Sequence, residues 1–202
     1  MSQLSEEEVD GVLNYWFSGN LKENYNTKWF PSAAKTTQEK TDAEIADRFG
    51  SLLFRALNDH ISMQQEHTRS TLALILILDQ FSRHVFRHNK EHADAVCRGE
   101  ADRRALQLCE VLLGSECDAM TLAKTGCLDE NLATKDKWDA DLSVSEFVFA
   151  LMPLRHSPTI YRLQYVLSSI DKRSREAGEE LALLDRFRRQ TYRRFQELQV
   201  VL

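Results

Sequence analysis

The sequence predicts an all-α fold, a single-domain antiparallel array of about seven helices, and three observations carry that prediction. Turn punctuation is scarce: seven Gly and three Pro in 202 residues are well under half the roughly 12% combined frequency of average proteins. Apolar residues recur at steps of three and four through most of the chain, the spacing that lines one face of a helix. Three pairs, Ser5 with Glu8, Thr41 with Glu44 and Ser143 with Glu146, have the form of a capping box, in which each member satisfies a free backbone N–H at a helix start. At 202 residues one core suffices, since chains divide into domains only beyond about 250 residues.

The elements follow in order. Ser5 opens a short helix to about Phe17 that carries Val9, Val12, Leu13, Trp16 and Phe17 on one face. Residues 18 to 35, with Gly19, Asn20, Asn24, Asn26 and Pro31, lack periodicity and read as a loop that plugs Trp29 and Phe30 into the core. From about Thr41, Ile45, Phe49, Leu52, Leu53, Ala56 and Leu57 form a strong amphipathic stripe. The segment from about Ser70 to Arg87 holds an unbroken apolar run, Leu72 to Leu78, that by period alone fits a buried strand as well as a helix. Its Leu and Ala content, and the continuing stripe Leu74, Leu78, Phe81, Val85, favour a helix that is apolar all round for two turns and therefore buried on every side. Residues 91 to 113 carry Ala93, Val96, Cys97, Ala105, Leu108, Cys109 and Leu112, and Gly114 sits where a helix C-terminus wants a left-handed residue. From 114 to 142 the chain is polar and aperiodic, long for a connection inside a compact domain, and reads as an irregular, mobile insertion anchored by Trp138. Ser143 then opens a short helix through Phe147, Ala150 and Leu151 that ends near Pro153. Ser157 with Pro158 fits an N-cap and first turn, because Pro loses an N–H that had no partner there, and the helix runs through Val166 and Ile170. The last helix, from about Glu180, aligns Leu184, Phe187, Thr191, Phe195 and Leu198. No repeat period is visible.

Composition excludes several classes of function. A net charge of −5 argues against a general polyanion binder. Cys97, Cys109, Cys117 and Cys127 show no C-x-x-C pair and no zinc spacing, and the acidic start MSQLSEEEVD lacks a signal-peptide apolar region. These features lead us to expect a reduced, intracellular, cytoplasmic protein that is soluble. The run from Leu72 to Leu78 falls far short of the roughly 20 apolar residues a membrane span needs. No Gly-rich phosphate loop and no G-x-S-x-G motif is present, which excludes nucleotide binding by the familiar loops.

The segments VLNYWF at 12 to 17, WF at 29 to 30, DAEIADRF at 42 to 49, LALILILDQFSRHVFR at 72 to 87, and FALMPLRHS at 149 to 157 followed by Gln164 together resemble the domain-of-unknown-function 924 family of mostly bacterial helical proteins. The resemblance covers most of the chain. It implies a tetratricopeptide-like helical fold and marks which polar positions to inspect, and it implies no activity. The chain departs from the family pattern at Ser82 and His84, where the family has proline and asparagine, and at Pro158 and Thr159, where it has an acidic pair.

Two polar knots are candidates for a site. On a helix, Asp79, Arg83 and Arg87 lie four apart on one face, beside the apolar stripe. The plainer expectation is structural: Asp79 pairs with Arg83 at the edge of the core and the guanidinium holds a neighbouring loop. The sharper one adds Arg155, His156 and Ser157 at the predicted helix start, where free N–H groups and the positive dipole end receive anions. If the knots meet, Arg83, Arg87 and His156 bind a phosphate or carboxylate, with Gln80 and Gln164 as orienting donors. No nucleophile is evident, so no catalytic residue is assigned. His84, His88 and His92 are spaced by four, as metal-binding histidines can be, but Asn89 to Glu91 mark a break, and solvent-facing histidines at a helix end are the expectation. Cys97 and Cys109 read as core filling. No metal or other cofactor is expected.

Between residues 185 and 197, Arg186, Arg188, Arg189, Arg193 and Arg194 meet only Asp185 and Glu197. That is a candidate surface for RNA or an acidic peptide. The acidic chain and the absence of interleaved exposed aromatics weigh toward a solvated face that complements the helix dipole. The expectation is therefore a non-enzymatic module with a protein or peptide partner. The alternatives are a small enzyme or binder of an anionic metabolite built on the Arg/His pocket, and, more weakly, RNA or acidic-peptide binding by the last helix.

Overall fold

Ser5 opens the first helix as its spacing predicts. Its Oγ accepts from Glu8 N at 3.2 Å while Glu8 Oε2 accepts from Ser5 N at 2.9 Å. A computed structural model describes residues 2–29, 35–65, 67–89, 95–113, 142–174 and 181–200. The predicted roles of Phe30, Trp138, Gly114 and nearly all of the 114–142 insertion lie outside the described residues. Among the described residues the fold is all-α, with nine helices and no strand. An isolated bridge between Ser2 and Ile61 is the β pairing recorded there.

In order, the helices are α1 (Glu6–Phe17), α2 (Leu21–Asn24, continued in π-helical geometry over Tyr25–Trp29), α3 (Lys35–Leu57), α4 (Thr68–Ile75, a π-helical segment Leu76–Phe81, then Ser82–His88), α5 (Ala95–Leu112), α6 (Val144–Ala150), α7 (Met152–His156), α8 (Ile160–Arg173) and α9 (Leu181–Gln199). The chain divides into two compact units, residues 1–108 and 109–202, so that the last turn of α5 belongs to the second.

In the first unit α4 packs along α3 and its first half also meets α1. The run Leu72 to Leu78 is buried completely, as an all-round apolar helix requires. Each large aliphatic chain there contributes about 1.5–3 kcal/mol of hydrophobic stabilisation. Aromatic rings fill the rest. Phe81 lies 4.7 Å from Phe49 and 5.3 Å from Trp16 between centroids, and Tyr15 lies 5.2 Å from Phe49.

Two sequence expectations change here. The loop expected at 18–35 contains α2: the Asn20 side chain accepts from Lys22 N at 2.9 Å and Glu23 N at 3.2 Å, a helix cap that outweighs the weak periodicity. Trp29 does enter the core, and its Nε1 donates to Trp16 O at 3.2 Å. Thr41 does not start a helix. It lies inside α3, where its hydroxyl bonds back to Thr37 O at 3.1 Å and also reaches Thr27 O at 3.2 Å. Glu44 instead pairs with Arg48 one turn on at 3.3 Å.

In the second unit α8 packs on α9 and α7, and α6 packs on α7 and α9. Ser143 and Glu146 form the predicted capping box. Buried Phe147, Phe149, Leu154, Leu163, Val166, Leu184 and Phe187 make this core. The helix expected to end near Pro153 ends at Ala150, and Pro153 falls in the first turn of the separate short helix α7, where its missing N–H costs nothing. That break and α2 account for the two helices beyond the expected seven. Cys109 fills core as expected, whereas Cys97 is only partly buried.

Candidate functional site

The polar edge of α4 begins inside its π-helical segment, where the wider turn shifts the register of the residues that follow. Asp79 sits there with only 1% of its surface exposed. A carboxylate so buried requires donors. Gln80 Nε2 supplies one, and Arg83 Nη2 a second at 3.2 Å. The same Arg83 nitrogen reaches Asp102 of α5 at 2.8 Å. The guanidinium thus does hold a neighbouring element, and that element is a helix rather than a loop.

One turn later lies a network that the sequence reading did not single out. Asp42 of α3 and His84 of α4 are both buried. His84 Nδ1 lies 2.7 Å from Asp42 Oδ1, Arg87 Nε donates to Asp42 Oδ2 at 3.0 Å, and Arg87 Nη2 donates to Oδ1 at 2.9 Å. Burial pushes the Asp42 carboxyl up, but the bonds from His84 and Arg87 outweigh it and hold the group below the usual carboxylate range. The carboxylate is therefore an acceptor, and His84 Nδ1 lies 3.0 Å from Arg87 Nη2 as well, so the three side chains form one contiguous cluster. Burial disfavours the imidazolium, Arg87 adds to that, and the pull of Asp42 does not compensate, so the His84 pKa lies below its ordinary value. The ring meets the Trp16 indole edge-on at 6.0 Å between centroids. His84 is thus not solvent-facing; it points inward because it falls on the side of α4 that faces α3. His88 is exposed, and His92 lies outside the described residues.

Both missed residues left a signal. Asp42 precedes Ile45 and Phe49 by three and seven positions, so a carboxylate stands on the core-facing stripe of α3 and must find a buried partner. His84 stands three residues after Phe81 and seven after Ile77. Arg104 of α5 left the same signal, three residues after Ala101 and four before Leu108. It is buried, donates to Ala56 O at the end of α3 at 2.6 Å, and pairs with Asp59 at 2.8 Å. Asp59, at φ 56°, takes the left-handed conformation that terminates α3. Hydrogen bonds from Arg103 and Arg104 bring the half-buried Glu100 down to a pKa of about 2.

The remaining candidates lie in the second unit, and the helix start expected around them is not there. Arg155 and His156 close α7, and Ser157 is its C-cap. Ser157 has φ −65° and ψ 138°, the extended backbone that a residue before proline favours, and α8 begins only at Ile160, with Thr159 as its N-cap. A helix C-terminus carries partial negative charge and repels anions. Its His156 carbonyl accepts from Arg194 Nη2 at 2.8 Å. The Ser157 hydroxyl lies 3.0 Å from Thr159 Oγ1 and accepts from Arg162 Nη1 at 2.9 Å, while Arg162 Nη2 pairs with Glu110. Gln164 is exposed on α8. Asp79, Gln80, Arg83 and Arg87 therefore cluster within the first unit, and Arg155, His156 and Ser157 adjoin within the second.

Among the described residues no three His, Cys, Asp or Glu side chains group so as to hold a metal ion, and no helix is long and apolar enough to cross a membrane. Residues 12–195 match the model of a family described as bacterial protein of unknown function, DUF924. No curated protein and no solved structure matches the chain.

Proposed function

The chain belongs to the DUF924 family of bacterial proteins of unknown function, and from that premise we propose that it is a non-enzymatic, tetratricopeptide-like helical module that engages a protein or peptide partner. One observation carries this reading: the guanidiniums best placed for an anionic ligand are engaged by carboxylates of the same chain. Arg83 bridges Asp79 and Asp102, and Arg87 clasps Asp42 with two nitrogens. A ligand phosphate drawing either arginine away would leave a buried carboxylate short of its partner, at a cost of several kcal/mol. The polar edge then serves to lock α3, α4 and α5 together, and recognition falls to outward helix faces. Large apolar side chains do stand outward, among them Val96 and Val111 on α5.

A second reading, a binder of an anionic metabolite, has its own support. The Arg83 and Arg87 side chains remain 37% and 40% exposed, one turn apart on α4. A thermal-shift screen against phosphorylated and carboxylated metabolites, run on wild type and Arg83→Ala, separates the two, because a ligand specific for the folded state raises the melting temperature. A flat screen is expected. A rise in wild type that Arg83→Ala abolishes replaces the first reading by the second.

A further inference from the structure

The outward face of α9 points to a specific class of partner. Leu184, Phe187 and Thr191 form its buried face, and Arg189, Tyr192 and Arg193, three and four residues apart, share the opposite one. Tyr192 is 47% exposed, and its ring lies against Phe195 at 6.3 Å between centroids with 28° between the planes. An exposed aromatic ledge therefore interrupts the basic run, contrary to the sequence expectation. The arginines are not equivalent. Arg188 is tied to Asp171 at 2.8 Å and Arg194 to the His156 carbonyl. Arg193 holds Glu197 at 3.0 Å, but both side chains are mostly in solvent, and such a pair is worth only about 0.3–0.5 kcal/mol. Arg189 has no ion pair among the described residues and stands between Arg193 and Tyr192.

We propose that this face docks an acidic peptide segment, in which a carboxylate takes the Arg189 guanidinium while a neighbouring apolar side chain lies on the Tyr192 ring. The inference rests on the interaction-module reading and names its partner. Charge complementarity is local. Residues 185–197 carry five arginines against two carboxylates within a chain of net charge −5. Guanidinium and carboxylate match as planar, two-bond partners, and a tyrosine ring offers apolar area beside them. The arrangement favours a peptide over a nucleic acid. A polyphosphate backbone draws its affinity from many free cations, and intramolecular partners already hold Arg188 and Arg194 on this helix.

Fluorescence anisotropy on the full chain tests this with labelled amphipathic glutamate/leucine and lysine/leucine peptides and a single-stranded oligouridylate. The glutamate/leucine peptide is expected to bind, to weaken at least about tenfold with Arg189→Glu and with Tyr192→Ala, and to be unaffected by Arg69→Glu, the same charge change at an exposed arginine of the first unit. Equal loss with Arg69→Glu reduces the effect to bulk charge and overturns the proposal. So does binding that survives Arg189→Glu. Capture of the lysine/leucine peptide instead leaves the module reading standing and removes this one. Oligouridylate binding lost with Arg189→Glu makes the face a nucleic-acid surface. Absence of all binding overturns the inference, while the metabolite screen continues to decide the reading beneath it. Arg189→Gln, which removes charge without reversing it, serves should Arg189→Glu lower the melting temperature.

Discussion

The two units use arginine differently. In the first, guanidiniums meet side-chain carboxylates, two of which are buried: Arg87 on Asp42, and Arg83 on Asp79 and then Asp102. In the described part of the second, the carboxylates that guanidiniums meet, Glu110, Asp171 and Glu197, are not buried, and other arginines meet backbone oxygens where helices begin and end, as Arg104 does in the first: Arg173 on Leu142 O at 2.5 Å, just before α6, and Arg194 on His156 O at 2.8 Å, at the close of α7. A backbone carbonyl at a helix end is polar whichever side chain approaches it, so losing a donor costs one hydrogen bond. A buried carboxylate is different, because removing either partner strands the other in a low-dielectric interior. The first unit thus holds a few interactions of large consequence, the second several of small consequence.

The largest expected effect comes from removing the carboxylate at the centre of the first network. Asp42→Ala leaves the buried His84 and the Arg87 fork without their acceptor and is expected to destabilise by about 3–5 kcal/mol in urea unfolding. A loss under about 1 kcal/mol would show that the network adds little beyond an exposed ion pair and would erase the contrast between the units.

Acidification gives a smaller effect confined to the same network. The folded-state pKa of His84 lies below the ordinary 6.5, so below that pH the unfolded chain binds the proton first. The contribution is complete above about 6.5 and is lost as pH falls through the folded value. Asp42, also depressed from its ordinary 3.8, gives up its own contribution only at lower pH. The melting temperature should therefore fall between neutrality and pH 5, and His84→Gln should flatten that fall. A wild-type profile as flat as that of His84→Gln refutes the buried neutral imidazole.

The smallest effect belongs to the second unit. Arg194→Met keeps the aliphatic stem and removes one charged donor to a carbonyl, so about 1–2 kcal/mol is expected in the same unfolding measurement. A loss as large as that of Asp42→Ala would mean that the carbonyl contact organises its unit as strongly as the carboxylate does the first.

How much could be read beforehand varied with the range of the interaction. The Ser5–Glu8 and Ser143–Glu146 boxes, the buried run Leu72 to Leu78, and the stripe of α9 through Leu184, Phe187 and Thr191 are local patterns, and all form as expected. The Thr41 pair had the same local form, yet Thr41 lies inside a helix that begins at Lys35, and its hydroxyl bonds to Thr37 O and Thr27 O instead of capping. α8 starts at Ile160 rather than at Pro158, and the Ser157 hydroxyl is taken by Thr159 and Arg162 instead of capping a helix.

The candidate site divides the same way. That Asp79 pairs with Arg83 is written in a spacing of four, and the polar edge of α4 was legible for that reason. That Arg83 also takes Asp102, that Asp42 sits against His84, and that Arg104 caps the end of α3 depend on residues 19, 42 and 48 positions apart. Sequence by itself determined most of the helical segments and the faces they bury, α2 and α7 excepted, because periodicity and caps act within a turn or two of backbone. Tertiary structure alone decided which buried carboxylate meets which cation, and which arginine on the outer face of α9 has no ion pair among the described residues, because a buried charge is satisfied by whatever group packing brings within 3 Å, wherever it lies along the chain.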